Sequence, residues 1–277
     1  MQEFLGYLEN NDWLLAVMLF SSLALCWILE AIAPLVHFDY KKLRHIGANT
    51  VFLTTTLLIT APMLTLHGIA FIWIDANQFG LLYLVDLPIW LELLIAVMAL
   101  DFFAQYGVHY LLHHVKWMWR LHIVHHNDTY VDATTAFRHH PFDSMSRSVA
   151  SLAAVLIFGI PIAYYLVYRL VTLFFAYFTH ANFHLHAGID RTLSYLFVTP
   201  NMHKFHHHFE RPWTDTNFGN VFSIWDRMFG TLTYQKVEDV RYGLDIVDPG
   251  KDEEILYQFI LPFDKNIKTD ERRGLLI

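Results

Sequence analysis

Long apolar stretches separated by short polar joints dominate the chain, and their lengths predict its elements. Residues 1–12 are polar and acidic, and residues 13–33 are almost unbroken apolar, about the ~20 residues that cross a bilayer as a helix. A cleaved secretory leader would need a basic segment before the run and small residues after it. Glu30 and Pro34 stand at that end instead, with no Lys or Arg ahead, so the run reads as a first transmembrane helix. A second apolar run covers 51–74, with Pro62 and Gly68 expected to bend it, and a third covers 89–112. The fourth, 148–178, is broken by Gly159-Ile160-Pro161. It is too long for one span and too short for two full ones, which predicts a helical hairpin that leaves and returns on one side. From residue 237 the sequence turns polar, as in a cytosolic tail of short helices.

Charge orients these elements. Lys41, Lys42 and Arg44 follow the first run, the 75–88 loop holds two acids and no base, and Lys116, Arg120, Arg138 and Arg147 follow the third. Under the positive-inside rule the N-terminus lies outside, and the region after the third run, with the C-terminus, is cytoplasmic. Apolar residues make up 55% of the chain and charged ones 16%, too little charge to clothe a soluble globule. A net charge of −7 gives no footprint for nucleic acid. Cys26 is the single cysteine, so metal chemistry here falls to His and carboxylates. The expected fold is all-α. It is an integral membrane bundle of about four helices, three spans plus the 148–178 hairpin, under a cytosolic, helical, histidine-rich cap. Membrane helices occupy 1–112, a catalytic region 95–235, and a cytosolic tail 236–277.

Fifteen of the 18 histidines lie between positions 109 and 208. Asp101, Gln105, His109 and His113 recur every fourth residue on the third run, and an ionisable residue inside a span points to function. Asp101 is two turns from His109, which suits orienting a ligand or packing helices better than ligating. His122/His125/His126 and His203/His206/His207 repeat one spacing. On a helix the first and last members of such a triplet share a face while the middle one points away, towards a second ion. Spacing leaves His140, before Pro141, and His180 open as ligands. His184 and His186 have less support, His114 and His208 extend runs by one, and His37, His45 and His67 lie apart. His-Glu-x-x-His is absent, which leaves a zinc peptidase without support.

The chain resembles the fatty acid hydroxylase superfamily, also called the sterol desaturase family, of integral-membrane di-iron oxygenases. The resemblance is carried by Asp101-x4-Tyr106-x2-His109-x3-His113, Trp119-x2-His122-x2-His125-His126, Thr135-x2-Arg138-x-His140-Pro141 and His180-x-Asn182. It continues in Thr199-Pro200-x2-His203-x2-His206-His207, Asn217-x-Gly219-Asn220 and Trp225-Asp226-x2-Phe229-Gly230-Thr231. These elements cover about half the chain. The resemblance adds His140 and His180 to His109, His113, His122, His125, His126, His203, His206 and His207 as ligands of two iron ions. His139 and His184 fall off the pattern, and His184 stays the first reserve as the i, i+4 partner of His180. Asn217 and Asp226 join Asp101 as residues expected to orient ligands or close the cap.

The implied reaction is hydroxylation or desaturation of a lipid C–H bond with O2 as co-substrate, the lipid tail lying in an apolar slot between helices. Zinc can replace iron in purified protein. With no Gly-x-Gly-x-x-Gly fingerprint in the chain, electrons are expected from a separate ferredoxin-like or haem-protein donor. The alternative is a histidine-rich membrane metal-binding or transport protein, which would distribute its histidines through the spans.

Overall fold

The computed structural model describes residues 2–9, 11–210, 213–235 and 240–267, so parts of the tail expected over 236–277 lie outside the described residues. The described residues fold as helices, with no β-strand among them. A short α1 (Gln2–Glu9) precedes α2 (Asp12–Ile32) and α3 (Lys42–Asn77). Next comes α4 (Ile89–Leu100), which continues through wider π-helical turns (Asp101–Gly107) into α5 (Val108–His114). α6 (Lys116–His126) leads to the hairpin of α7 (Pro141–Phe158) and α8 (Ile162–His180). Four short α-helices follow among the described residues: α9 (Ala187–Leu193), α10 (Pro200–His206), α11 (Ile224–Met228) and α12 (Ile255–Ile260).

Among the described residues three runs are long and apolar enough to cross a membrane: Lys42–Leu84, Ile89–His114 and Ile162–His180. This is a membrane protein, though the runs differ in part from those expected. The first run forms α2, 21 residues from Asp12 to Ile32. Of the hairpin arms only α8 qualifies, because α7 opens with Asp143, Ser144, Ser146 and Arg147. The lipid-facing surface is legible on α3, where Leu58, Leu64 and Ile72 are 71%, 67% and 74% exposed. A soluble protein would not leave such a stripe bare.

α3 is longer than the apolar run that foretold it. Hydropathy marks the part in lipid, whereas the helix also includes two polar turns whose His45, Asn49 and Phe52 are buried against the cap. Neither Pro62 nor Gly68 ends it. The hairpin arms are each about 27 Å long at 1.5 Å per residue. Their tip turns at Gly159, in the left-handed region at φ 67°, and meets the chain just after α3. A Cβ on Gly159 would lie 2.2 Å from the Phe79 carbonyl oxygen. The hairpin therefore reaches the end of the bundle opposite the histidines, and its two feet, His140 and His180, return to the histidine end. Gly159→Val is expected to destabilise the protein by at least the ~1–3 kcal/mol of left-handed strain, read as a lower unfolding temperature in detergent. An unchanged transition would show that the tip is not so tightly seated.

Two apolar clusters hold the halves together. Ala70, Ile74, Val97, Leu100, Ala154, Val155, Ile160 and Tyr168 pack α3, α4, α7 and α8 within the bundle. Phe52, Trp119, Ile123 and Val124 pack α3 and α6 against Leu244, Val247, Leu261 and Ile267. Glu30, near the end of α2, accepts from the Ala133 and Asn182 backbone N–H groups at 2.8 and 2.9 Å and ties that end to the cap.

Candidate metal centre

Four elements aim imidazoles at one buried volume. His109 and His113 sit one turn apart on α5, His122, His125 and His126 on α6, and His180 ends α8. His203 and His206 sit on α10, which starts with Pro200 and a Thr199 cap, and His207 follows directly. Nine of the ten expected ligand histidines converge in two groups. His109, His113, His122, His126 and His206 form one, and His125, His180, His203 and His207 the other, with candidate ligating atoms within 4.8 Å of one another in each. Each triplet divides between the groups as helical geometry requires. His122 and His126 share a face while His125 crosses over, and His203 and His207 pair while His206 crosses over.

Hydrogen bonds orient most of these rings. His109 Nδ1 donates to the Phe218 carbonyl (2.8 Å), His206 Nδ1 to the Thr216 carbonyl (2.6 Å) and His113 Nδ1 to Asp215 (3.0 Å). His122 Nδ1 donates to Asp143 (2.6 Å), His125 Nδ1 to the Arg138 carbonyl (3.2 Å) and His180 Nδ1 to the Ala176 carbonyl (2.7 Å). An acceptor oxygen requires the proton on Nδ1, which leaves the Nε2 lone pair bare and directed inward.

Those lone pairs then face one another. Nε2 of His109 and His122 are 3.1 Å apart, and Nε2 of His180 is 3.2 Å from that of His125. Two unprotonated nitrogens cannot share a hydrogen bond. Separations of about 3 Å suit neighbouring ligands of one ion bound at roughly 2.1 Å. Both ring nitrogens of His126 and Nε2 of His206 are buried with no hydrogen-bond partner, so the residues fit a pair of metal ions. Burial, above all, pushes His122 down to about 4 even with Asp143 beside it. Burial and then neighbouring imidazoles hold His125, His126, His203 and His207 well below the ordinary value, and burial does the same for His206. All are neutral at pH 7, the form that ligates metal.

His140 departs from the expectation. Pro141 keeps it extended (φ −62°, ψ 137°), and its Nδ1 accepts from the Phe142 backbone N–H at the start of α7. Its ring lies against Phe142, Phe259 and Phe263, outside both groups. Along the extended chain successive side chains alternate, so His139 is the one turned inward. It stacks on His125 at 4.2 Å and bonds Asp143 at 3.2 Å, and His122, His139 and Asp143 form a third, smaller group. His184 is exposed, and His114 stacks on Tyr110.

Asp101, Asn217 and Asp226 hold the segment that orients the ligands, without themselves bonding a histidine. Asp101 accepts from the Val221 and Phe222 N–H groups and from Trp225 Nε1. Asp226 accepts from the Phe218 and Gly219 N–H groups and from Thr231, and Asn217 joins the Met202 carbonyl to Thr233. Sequence reading passed over Asp143 and Asp215, since a lone carboxylate away from a histidine run carries no pattern. Asp143 also receives Arg147 Nε at 3.1 Å. Asp143→Ala is expected to weaken metal affinity roughly 10–100-fold, measured by competition with a chelator. Unchanged affinity would reduce Asp143 to a partner of Arg147.

A cavity of about 250 Å³ opens off the centre, where His109, His125, His180 and His203 line it, and continues between α3, α7 and α8.

Fold and site together define a membrane protein with a buried polyhistidine centre able to hold metal. A family profile described as fatty acid hydroxylase matches residues 93–231, and the chain belongs to that family. It is similar to the alkylglycerol monooxygenase of Caenorhabditis elegans, 31% identical over 143 residues, 51% of this chain and 27% of the relative. The ornithine lipid hydroxylase OlsE of Rhizobium tropici is 29% identical over 130 residues, 47% and 38%. The human alkylglycerol monooxygenase is 27% identical over 248 residues, 88% and 52%. The chain thus spans between about a quarter and a half of the length of these relatives. No solved structure matches it.

Proposed function

We propose that the chain is a membrane-bound di-iron oxygenase that hydroxylates or desaturates a C–H bond of a lipid, using O2 and electrons from a separate ferredoxin-like or haem-protein donor. The observation that carries this reading is the convergence of nine buried histidines in two groups, six of them with Nδ1 committed to an acceptor and Nε2 left free to ligate. Imidazole-rich iron with open coordination positions supplies dioxygen activation when bound. The chain's own residues would hold the two ions, and Asp143, Asp215 and the Thr216, Phe218, Arg138 and Ala176 carbonyls fix the direction of six of the nine rings. Burial keeps the imidazoles neutral and the site dry, and the cavity presents the lipid to the centre. The relatives named as lipid hydroxylase and monooxygenases support a lipid substrate.

The distribution of Lys and Arg supports a cytoplasmic histidine end and an outer N-terminus. A metal transporter would carry ligands along the spans, and here both groups gather at one end of the bundle. The test is oxygen origin. Membranes supplied with lipid, reductant and isotopically labelled O2 are expected to yield product carrying the label, or a new double bond formed only when O2 is present. Product formation unchanged without O2, from protein holding near-stoichiometric zinc, would overturn the oxygenase reading. Zinc alone would not, because it can replace iron on overexpression.

A further inference from the structure

The cavity beside the histidines is mostly apolar, lined by Leu53, Leu57, Leu173 and Ala176, but it also carries hydroxyl groups and charge. It runs along α8 past Ala176, Thr172 and Tyr168 to Arg169, facing Thr56 and Thr60 of α3 and Ser151 of α7. Two guanidinium groups line it. That of Arg147 is occupied, donating to Asp143 and to Gln105 Oε1. The side chain of Arg169 is exposed along the cavity wall and its guanidinium has no hydrogen bond or ion pair to the described residues, although it belongs to a helix long and apolar enough to cross a membrane. A charge held within such a segment is costly unless it has a partner, and it ordinarily marks a ligand path. Its distance from the centre follows from the helix. Arg169 is eleven residues before His180, roughly 16 Å along the axis at 1.5 Å per residue. Helical side chains lean towards the N-terminus, which carries the guanidinium further from the histidines.

We propose that Arg169 anchors an anionic group of the substrate, a carboxylate or phosphate, so that the enzyme takes an acidic amphiphile lying along α8. The oxidised carbon then sits on the order of 16 Å or more from that group. Hydroxyl-bearing walls would accommodate the polar end that a purely apolar slot would reject. This rests on the oxygenase reading for the reaction but not for the binding.

The test uses the metal-loaded, full chain in detergent, as wild type, Arg169→Gln and Arg169→Lys, with metal content measured for each. The probes are a long-chain alkyl carboxylate, an alkyl phosphate and the neutral alcohol of equal length, with binding followed by calorimetry. Wild type is expected to bind at least one acidic probe roughly 10–100-fold more tightly than the alcohol, as a charge-assisted hydrogen bond allows. Arg169→Gln should erase that advantage while binding the alcohol as before, and Arg169→Lys should keep part of it. The acid preferred by wild type separates carboxylate from phosphate. Where product forms, mass spectrometry should place the new oxygen or double bond far from the acid group, with scattered positions in Arg169→Gln. Equal binding of acidic probes by wild type and Arg169→Gln, at full metal content, would overturn the anchor and leave the oxygenase reading intact. Arg169-dependent binding with no oxidation of any bound probe would instead count against the oxygenase reading and leave the anchor standing.

Discussion

His206→Ala is expected to leave the bundle folded, to lower bound metal from about two ions towards one per chain, and to reduce product below detection. His206 is buried, its Nδ1 is committed to the Thr216 carbonyl, and its Nε2 faces the first group with no protein partner. On the proposed reading, removing it deletes a ligand rather than a supporting contact. The effect should therefore exceed the roughly 10–100-fold that follows loss of a group outside the coordination sphere. His140→Ala is the companion variant. It lies on a family element but packs on Phe259 and Phe263, so both ions and most activity should remain. Metal analysis with turnover decides both. Full metal and activity in His206→Ala would remove it from the centre, and metal loss in His140→Ala would restore that residue to the ligand set.

Arg138→Leu should produce the largest loss of stability. Arg138 is fully buried, donating to the Val124 carbonyl (3.0 Å), to Asn49 Oδ1 (3.3 Å) and to the Asp252 carbonyl, with its guanidinium over Phe52. It joins α3, α6 and the C-terminal segment at one point, beside the carbonyl that orients His125. Leucine fills part of the volume but leaves three buried acceptors without their donor. Breaking a buried charged network costs about 3–5 kcal/mol, or a fall in unfolding temperature on the order of 10 °C for a chain of this size. Arg138→Lys should recover little, because an ammonium group cannot reproduce the planar fork. Thermal unfolding in detergent measures it. A transition within a degree or two of wild type would show that water or neighbouring donors satisfy those carbonyls.

Much of this architecture was legible in the residues because lipid imposes a simple rule. A spanning helix must be apolar over about 20 residues, so the spans and the hairpin break at Gly159 stand out. The histidine triplets were legible for a related reason. Helical periodicity alone divides His122/His126 from His125 and His203/His207 from His206. The choice between His139 and His140 was not legible. Both are histidines in one loop, and which one faces inward depends on the extended backbone that Pro141 enforces and on rings contributed from Phe259 and Phe263. α3 shows the same limit, since its polar first turns are helical because the cap packs on His45, Asn49 and Phe52.

The sequence by itself determined a helical membrane protein, the shared neighbourhood of nine of the ten histidines expected as ligands, and the family to which the chain belongs. These depend on composition and on spacing along one element, which the order of residues specifies locally. Only the tertiary structure decided which histidines of different helices meet in each group, the carboxylates and carbonyls behind most of the rings, and the cavity that Arg169 lines. Asp143 meets His122 across 21 positions, and the Phe218 carbonyl meets His109 across 109. The first needs α6 and α7 to pack together, and the second exists only once the hairpin has brought the second histidine-rich half back onto the first.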